Sequence, residues 1–199
     1  MFDFHTHRLD ATPGTAVVCL PQEALLATDR WLQQAGGTRR LPKADEGALY
    51  AAGVHPWWTA QPGFDLDAHL AGLETLLALP EVIHVGECGL DRAVLPTDEA
   101  EATRLMALQE ETFVAMVRLS EEHRLPLTIH CVRAYDAILR LKKSLAPTQQ
   151  WTIHGFRGRP ALAAQLLAAG LDLSFGPRRN DEAYALTPAD RRHDETDAE

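Results

Sequence analysis

His5 and His7 stand two positions apart in a short run with strand character, and a β-strand would turn both rings to the same face. For that pair alone, structural or surface histidines are the better reading. The pattern then recurs. Glu87 closes the apolar run 82–86, His130 closes 127–129, and His154 closes 151–153. Neutral imidazoles and carboxylates are the donors that hold Zn²⁺, Mn²⁺ or similar ions. A single such group at a strand end is better read as a hydrogen-bonded core residue. Four strands that each present one at the same rim are hard to explain by packing. Two metals sharing a carboxylate need about this many ligands, so a two-metal hydrolytic site is the favoured reading.

The same alternation sorts the neighbours. Cys88 follows Glu87 and Cys131 follows His130, so both thiols are expected to face a helix layer as inert core groups. Cys19, with no polar residue beside it, is read the same way. His84 lies three before Glu87 and is expected to face away from it. His69, His123 and His193 fall in helical or tail segments and read as surface groups. No glycine-rich loop of the dinucleotide or P-loop type is present.

Eight short segments must carry these residues: 2–7, 15–20, 51–55, 82–87, 126–131, 151–156, 171–176 and, more weakly, 193–197. Longer stretches with helical spacing alternate with them. In 98–123, Met106, Phe113, Met116 and Val117 share one face, and Asp98 followed by Glu101 suggests a capping box. Pro160 and Gly170 bracket a second helix over 161–169, and Tyr135, Ile138 and Leu139 form a further stripe. Residues 38–47 read as a loop. Alternating strands and helices predict a parallel sheet, closed as an eightfold barrel or open and doubly wound. Nothing in the sequence divides it, so residues 1–199 are expected to form a single domain.

Composition narrows the setting. With 199 residues, 46% hydrophobic and 24% charged, the chain is neither disordered nor a disulfide miniprotein. A net charge of −9 gives no long-range attraction to nucleic acid, so any phosphate substrate must be held by local groups. Three cysteines in separate segments suit reduced thiols in the cytoplasm. The N-terminus has neither the basic nor the apolar region of a signal peptide, and no run nears the roughly 18 apolar residues of a membrane helix. Residues 181–199 are rich in Asp and Glu, and composition alone reads them as a solvated end.

Five blocks carry a family resemblance: Asp3-Phe-His-Thr-His7, Gly53-Val-His-Pro56, Val85-Gly-Glu-Cys-Gly-Leu-Asp91, Ile129-His-Cys-Val-Arg133 and Ile153-His-Gly-Phe-Arg-Gly158. With Leu173-Ser-Phe-Gly176 and Glu195-Thr-Asp197 they resemble, in order, the TatD-type metal-dependent DNase family, from residue 2 to residue 197. The resemblance implies an amidohydrolase-like TIM-type barrel with parallel strands, carrying two divalent ions (Zn, Mn or Mg). His5, His7 and Asp197 would hold one ion, His130 and His154 the other, and Glu87 would bridge them. His55 would lie near the substrate phosphate. Arg133 and Arg157 follow ligand strands and are read equally as phosphate contacts or as surface arginines. The sequence ends just after the eighth-strand motif, which implies a C-terminally shortened member and leaves closure of the barrel open.

The expected activity is that of a cytoplasmic hydrolase, a nuclease or phosphodiesterase using a hydroxide that bridges two metals, with Asp197 as general base beside Glu87. Its partners would be DNA ends or small phosphodiesters, with no membrane and no obligate protein partner. The alternatives are an amide or ester hydrolase on the same barrel, or a non-catalytic binding module. A carboxylate at position 87, where many such barrels have a carbamylated lysine, favours the phosphodiesterase.

Overall fold

A computed structural model describes residues 2–35 and 38–198. In chain order the strands are β1 (Asp3–Thr6), β2 (Ala16–Cys19), β3 (Gln33–Ala35), β4 (Thr38–Arg40), β5 (Leu49–Ala52), β6 (Val82–Asp91), β7 (Leu127–Val132), β8 (Trp151–Ile153), β9 (Asp172–Phe175) and β10 (Arg192–Asp194). The helices are α1 (Gln22–Leu26), α2 (Thr28–Trp31), α3 (Leu66–Leu77), α4 (Glu99–His123), α5 (Tyr135–Leu145), α6 (Pro160–Ala168) and α7 (Asp181–Leu186). Eight strands form one sheet in the order β1-β2-β5-β6-β7-β8-β9-β10, and every pairing in it is parallel. A doubly wound sheet would reverse its order from a central strand. Here the order runs steadily and its two ends meet. His7 N–H donates to the Ala198 carbonyl at 2.8 Å and Asp197 N–H to the His5 carbonyl at 3.1 Å. The barrel is therefore nearly closed, joined by the residues just after β10.

The sequence signals explain the helices. Asp98 caps α4, its carboxylate accepting from Glu101 N–H at 2.9 Å, and Pro160 starts α6. Phe113, Met116 and Val117 of α4 and Ile138 of α5 are buried against the outer face of the sheet, with the Trp151 ring edge-on to Phe113 at 5.2 Å. Cys88 and Cys131 lie in this apolar cluster, as the alternation predicted. The stretch read as a loop instead contributes β4, which pairs antiparallel with β3, followed by a short 3₁₀ turn at Ala44–Glu46.

One irregularity in β6 matters for everything inside the barrel. Val85 pairs with Leu127 but Cys88 pairs with Ile129, so three steps of β6 span two of β7. This bulge changes the parity on which the alternation argument rested. His84 consequently shares the interior face with Glu87, contrary to expectation: its Nδ1 lies 2.9 Å from Thr128 Oγ1 and its ring 5.0 Å from that of Phe4. Burial pushes its pKa down to about 4. Two more surface assignments are corrected. His69 is buried and meets the Gln22 amide at 2.9 Å, while His193 is half-buried and stacks on Phe4 at 4.4 Å.

Beyond Asp190 the acidic tail is also not a solvated end over the described residues. Glu195 is buried, accepting from Gly155 N–H at 2.7 Å and Ser174 Oγ at 2.5 Å, and Asp194 accepts from Tyr184 Oη at 3.1 Å. Composition failed here because Asp194, Glu195 and Asp197 each meet specific groups, whereas Asp181, Glu182 and Asp190 are exposed as read; Glu199 lies outside the described residues.

Candidate active site

The strand ends converge on Glu87. Its backbone can take the bulged path because Gly86 and Gly89 flank it, and a Cβ at Gly89 would lie 2.0 Å from the His130 carbonyl oxygen. Its two carboxylate oxygens divide the histidines between them. Oε1 meets His130 Nδ1 and His154 Nε2 at 2.7 Å each and His55 Nε2 at 3.2 Å. Oε2 meets His7 Nε2 at 3.3 Å and His5 Nε2 at 3.4 Å. Asp197 lies on the second side, its Oδ1 being 3.7 Å from His5 and 3.9 Å from His7.

Charge in this cluster is concentrated. Burial raises the Glu87 pKa, but the surrounding His154, His130 and His5 rings more than reverse this and hold it well below the usual carboxylate range. Burial likewise opposes protonation of His154 and His130; Glu87 and Glu195 overcome it at His154, and Asp91 and Glu87 at His130, so both titrate above an ordinary histidine. His7 is raised chiefly by its hydrogen bond to Glu87. His55 differs, because burial dominates and lowers its pKa. Its Nδ1 accepts from Trp57 N–H at 3.1 Å, which leaves the proton on Nε2, facing Glu87. A neutral ring in that tautomer is a hydrogen-bond donor, not a metal ligand.

Three overlapping sets gather ligand-type atoms within 4.8 Å of one another: His5, His7 and Glu87; His5, His154 and Asp197; and His55, Glu87 and His130, of which the last would need His55 to give up its Nε2 proton role. The His5 and His7 Nε2 atoms are 3.3 Å apart, and His154 Nε2 is 3.5 Å from His130 Nδ1. Ring nitrogens crowded this closely around one carboxylate are the donor chemistry of a divalent site, so these residues fit such an ion.

Around the cluster lies a cavity of about 690 Å³ whose walls include His55, Trp57, Trp58, Gln22 and Arg178. Arg157 is exposed, with Nη2 at 3.9 Å from Asp197 Oδ2, and Arg133 is exposed without lining the cavity. Four contributors escaped sequence reasoning. Asp91 Oδ2 receives Trp57 Nε1–H at 2.7 Å and lies 3.0 Å from His130 Nε2. Glu195 Oε1 faces His154 Nδ1 at 3.5 Å, too long for a well-formed hydrogen bond. Cys19 does not face the helices: its thiol lies 3.2 Å from His5 Nδ1 and opens onto the cavity. Arg178 has no ion pair among the described residues. The alternation that turned Cys88 outward would have turned Cys19 inward, since in β2 it pairs with Ala51 of the inner face.

The family model described as TatD related DNase matches residues 16–198. A protein named 3′-5′ ssDNA/RNA exonuclease TatD, from Rahnella sp. (strain Y9602), is 33% identical over 162 residues, 74% of this chain and 56% of the relative. Its namesake from Cronobacter turicensis is 31% identical over 185 residues, 88% of this chain and 66% of the relative. The chain thus spans between about half and two thirds of the length of these relatives. Among solved structures, the TatD homologue YjjV of Escherichia coli K12 superposes with a TM-score of 0.73 at 21% identity, covering 99% of this chain and 78% of that one. A TatD family hydrolase from Entamoeba histolytica gives 0.63 at 22% identity, covering 92% and 60%. At these identities the two structures speak for the barrel alone. The sequence match takes in Glu87 and the histidines that face it from β7 and β8, and it runs through Asp197: the chain belongs to the TatD-related DNase family.

Proposed function

We propose that residues 1–199 form a single metal-dependent hydrolase domain that cleaves phosphodiester bonds at the ends of single-stranded nucleic acid or in small phosphodiesters. The observation that carries this reading is the division of the histidines between the two Glu87 oxygens. His130 and His154 would hold one divalent ion, His5, His7 and Asp197 the other, and Glu87 would be shared. Zn²⁺, Mn²⁺ and Mg²⁺ are the candidates. Bound there, such ions would supply a water of lowered pKa and neutralise charge on the attacked phosphate.

The protein's own groups do the rest. Glu87 stays ionised because the imidazoles around it outweigh its burial. Asp197, half exposed beside His5 and His7, is the carboxylate that would orient the attacking water and take its proton on an oxygen. The His55 Nε2–H, set by its bond from Trp57, would donate to a phosphate oxygen. Arg178, without an ion pair among the described residues, lines the cavity and would supply positive charge that a chain of net charge −9 otherwise withholds. Three free thiols suit a cytoplasmic enzyme.

The names of the sequence relatives support a 3′-to-5′ direction on single strands. Metal-loaded protein should therefore shorten 5′-labelled single strands and bis-p-nitrophenyl phosphate while leaving covalently closed circles and a panel of amides and esters intact. Glu87→Ala should abolish this and lower metal content without unfolding the barrel. Faster cleavage of circles, or activity confined to amides, overturns the reading.

A further inference from the structure

Trp57 is 54% exposed, an unusual position for the largest side chain, yet it is not loose. Its indole N–H is fastened to the buried Asp91 carboxylate at 2.7 Å, and its ring stands edge-on to His55 at 5.0 Å and 87°. The hydrogen bond uses the edge of the ring and leaves a face open at the cavity. Exposure of a large aromatic surface that has been fixed in one orientation serves folding poorly. It serves binding well, because the entropy of ordering the ring is already spent before any ligand arrives.

We propose that this face is the seat of the terminal nucleobase of a single-stranded nucleic acid, stacked on Trp57 while the adjoining phosphate meets the Glu87 cluster; the proposal rests on the nuclease reading above. Two features select a nucleotide over other flat ligands. Arg178, unpaired among the described residues, lines the same cavity and offers an anion partner. The ring also abuts His55, whose Nε2–H lies 3.2 Å from Glu87, so the base and phosphate positions are separated by one side chain. A stacked base needs no hydrogen-bond readout, so the subsite accepts any base and gives end recognition without sequence preference.

The test compares single strands ending in thymidine with the same strands ending in an abasic tetrahydrofuran nucleotide. The metal-loaded wild type should favour the thymidine end by about tenfold in kcat/KM, expressed in KM. Trp57→Ala should bring that ratio near one, and Trp57→Phe, which restores a ring without the N–H, should recover most of it. A Trp57 that only anchors Asp91 would instead depress both substrates equally in both variants and leave the ratio untouched, overturning the proposal. Equal handling of the two ends by an active wild type would overturn it as well. If no strand is cleaved, the nuclease reading fails. The platform is then judged on metal-free protein: quenching of indole fluorescence by a thymidine dinucleotide, absent with its abasic analogue and absent in Trp57→Phe, upholds it, and equal quenching refutes it.

Discussion

Asp91 touches no substrate and no candidate ion site directly, so replacing it by Asn asks how much the cluster depends on what stands behind it. The carboxylate is buried and fully used. Oδ2 takes the Trp57 N–H at 2.7 Å and faces His130 Nε2 at 3.0 Å, and Oδ1 takes Ala93 N–H at 2.7 Å. Its main chain is clamped too, with Asp91 N–H donating to Gln109 Oε1 at 2.8 Å. An isosteric amide has one acceptor oxygen where three donors converge, and its NH₂ must point at another donor. At least one donor is stranded, at about 1–3 kcal/mol. The charge that makes His130 a better base is lost as well. Outer partners of ligating histidines usually account for about 10–100-fold in metal affinity, or ~1.4–2.8 kcal/mol. We therefore expect Asp91→Asn to weaken binding of one of two divalent ions by 10–100-fold, with activity largely restored at saturating metal. Competition against a chelator of known affinity, followed by elemental analysis, measures it. If both ions bind as tightly as in the wild type, His130 is not held through Asp91 and the reasoning fails.

Three further outcomes follow from the same geometry. Asp197→Asn should slow turnover by orders of magnitude while elemental analysis still finds the ion of His130 and His154, because an amide cannot take a proton; full activity would remove Asp197 as base. Cys19→Ala should weaken metal binding severalfold by leaving His5 Nδ1 without a partner, Cys19→Ser should largely restore it, and Cys88→Ser and Cys131→Ser should change turnover little; chelator competition and steady-state kinetics check the set. His7, His130 and His154 titrate above an ordinary histidine in the metal-free protein, so near and below pH 7 an arriving ion must displace protons from them. Metal affinity should accordingly fall as pH falls, with proton release visible in weakly buffered solution; pH-independent binding between pH 6 and 8 contradicts that ligand set.

The parallel sheet was legible because strands buried on both faces leave short apolar runs that end in polar residues, and those ends are where chemistry sits; its closure into a barrel was implied only by the family resemblance. His5, His7, Glu87, His130 and His154 announced themselves in this way, and the structure brings all five within reach of one another. Legibility failed where a side chain's role depends on something other than its own strand. His84 was misplaced because one extra residue in β6 shifts the alternation, and nothing in Val82–Gly86 marks a bulge except a glycine. Cys19 was misread because its partner, His5, belongs to a different strand. Asp91 and Glu195 act through histidines, and that kind of support leaves no spacing to find. The tail misled by composition, which cannot tell the exposed Asp181, Glu182 and Asp190 from Asp194, Glu195 and Asp197, which meet specific groups.

The seam between β1 and the residues after β10 has a consequence for how this protein comes into being. Thr6 Oγ1 donates to the Ala198 carbonyl, and the Asp3 carboxylate accepts from both Thr196 N–H and Thr196 Oγ1, at a sequence separation above 190 residues. Contacts so distant in sequence are late ones for a growing polypeptide to satisfy. Glu87, His130 and His154 can meet before Asp197 has emerged from the ribosome. The side of the site around His5 and His7 cannot be finished until synthesis has passed it. The cluster is therefore completed in two stages, with its Asp197 side the last to close.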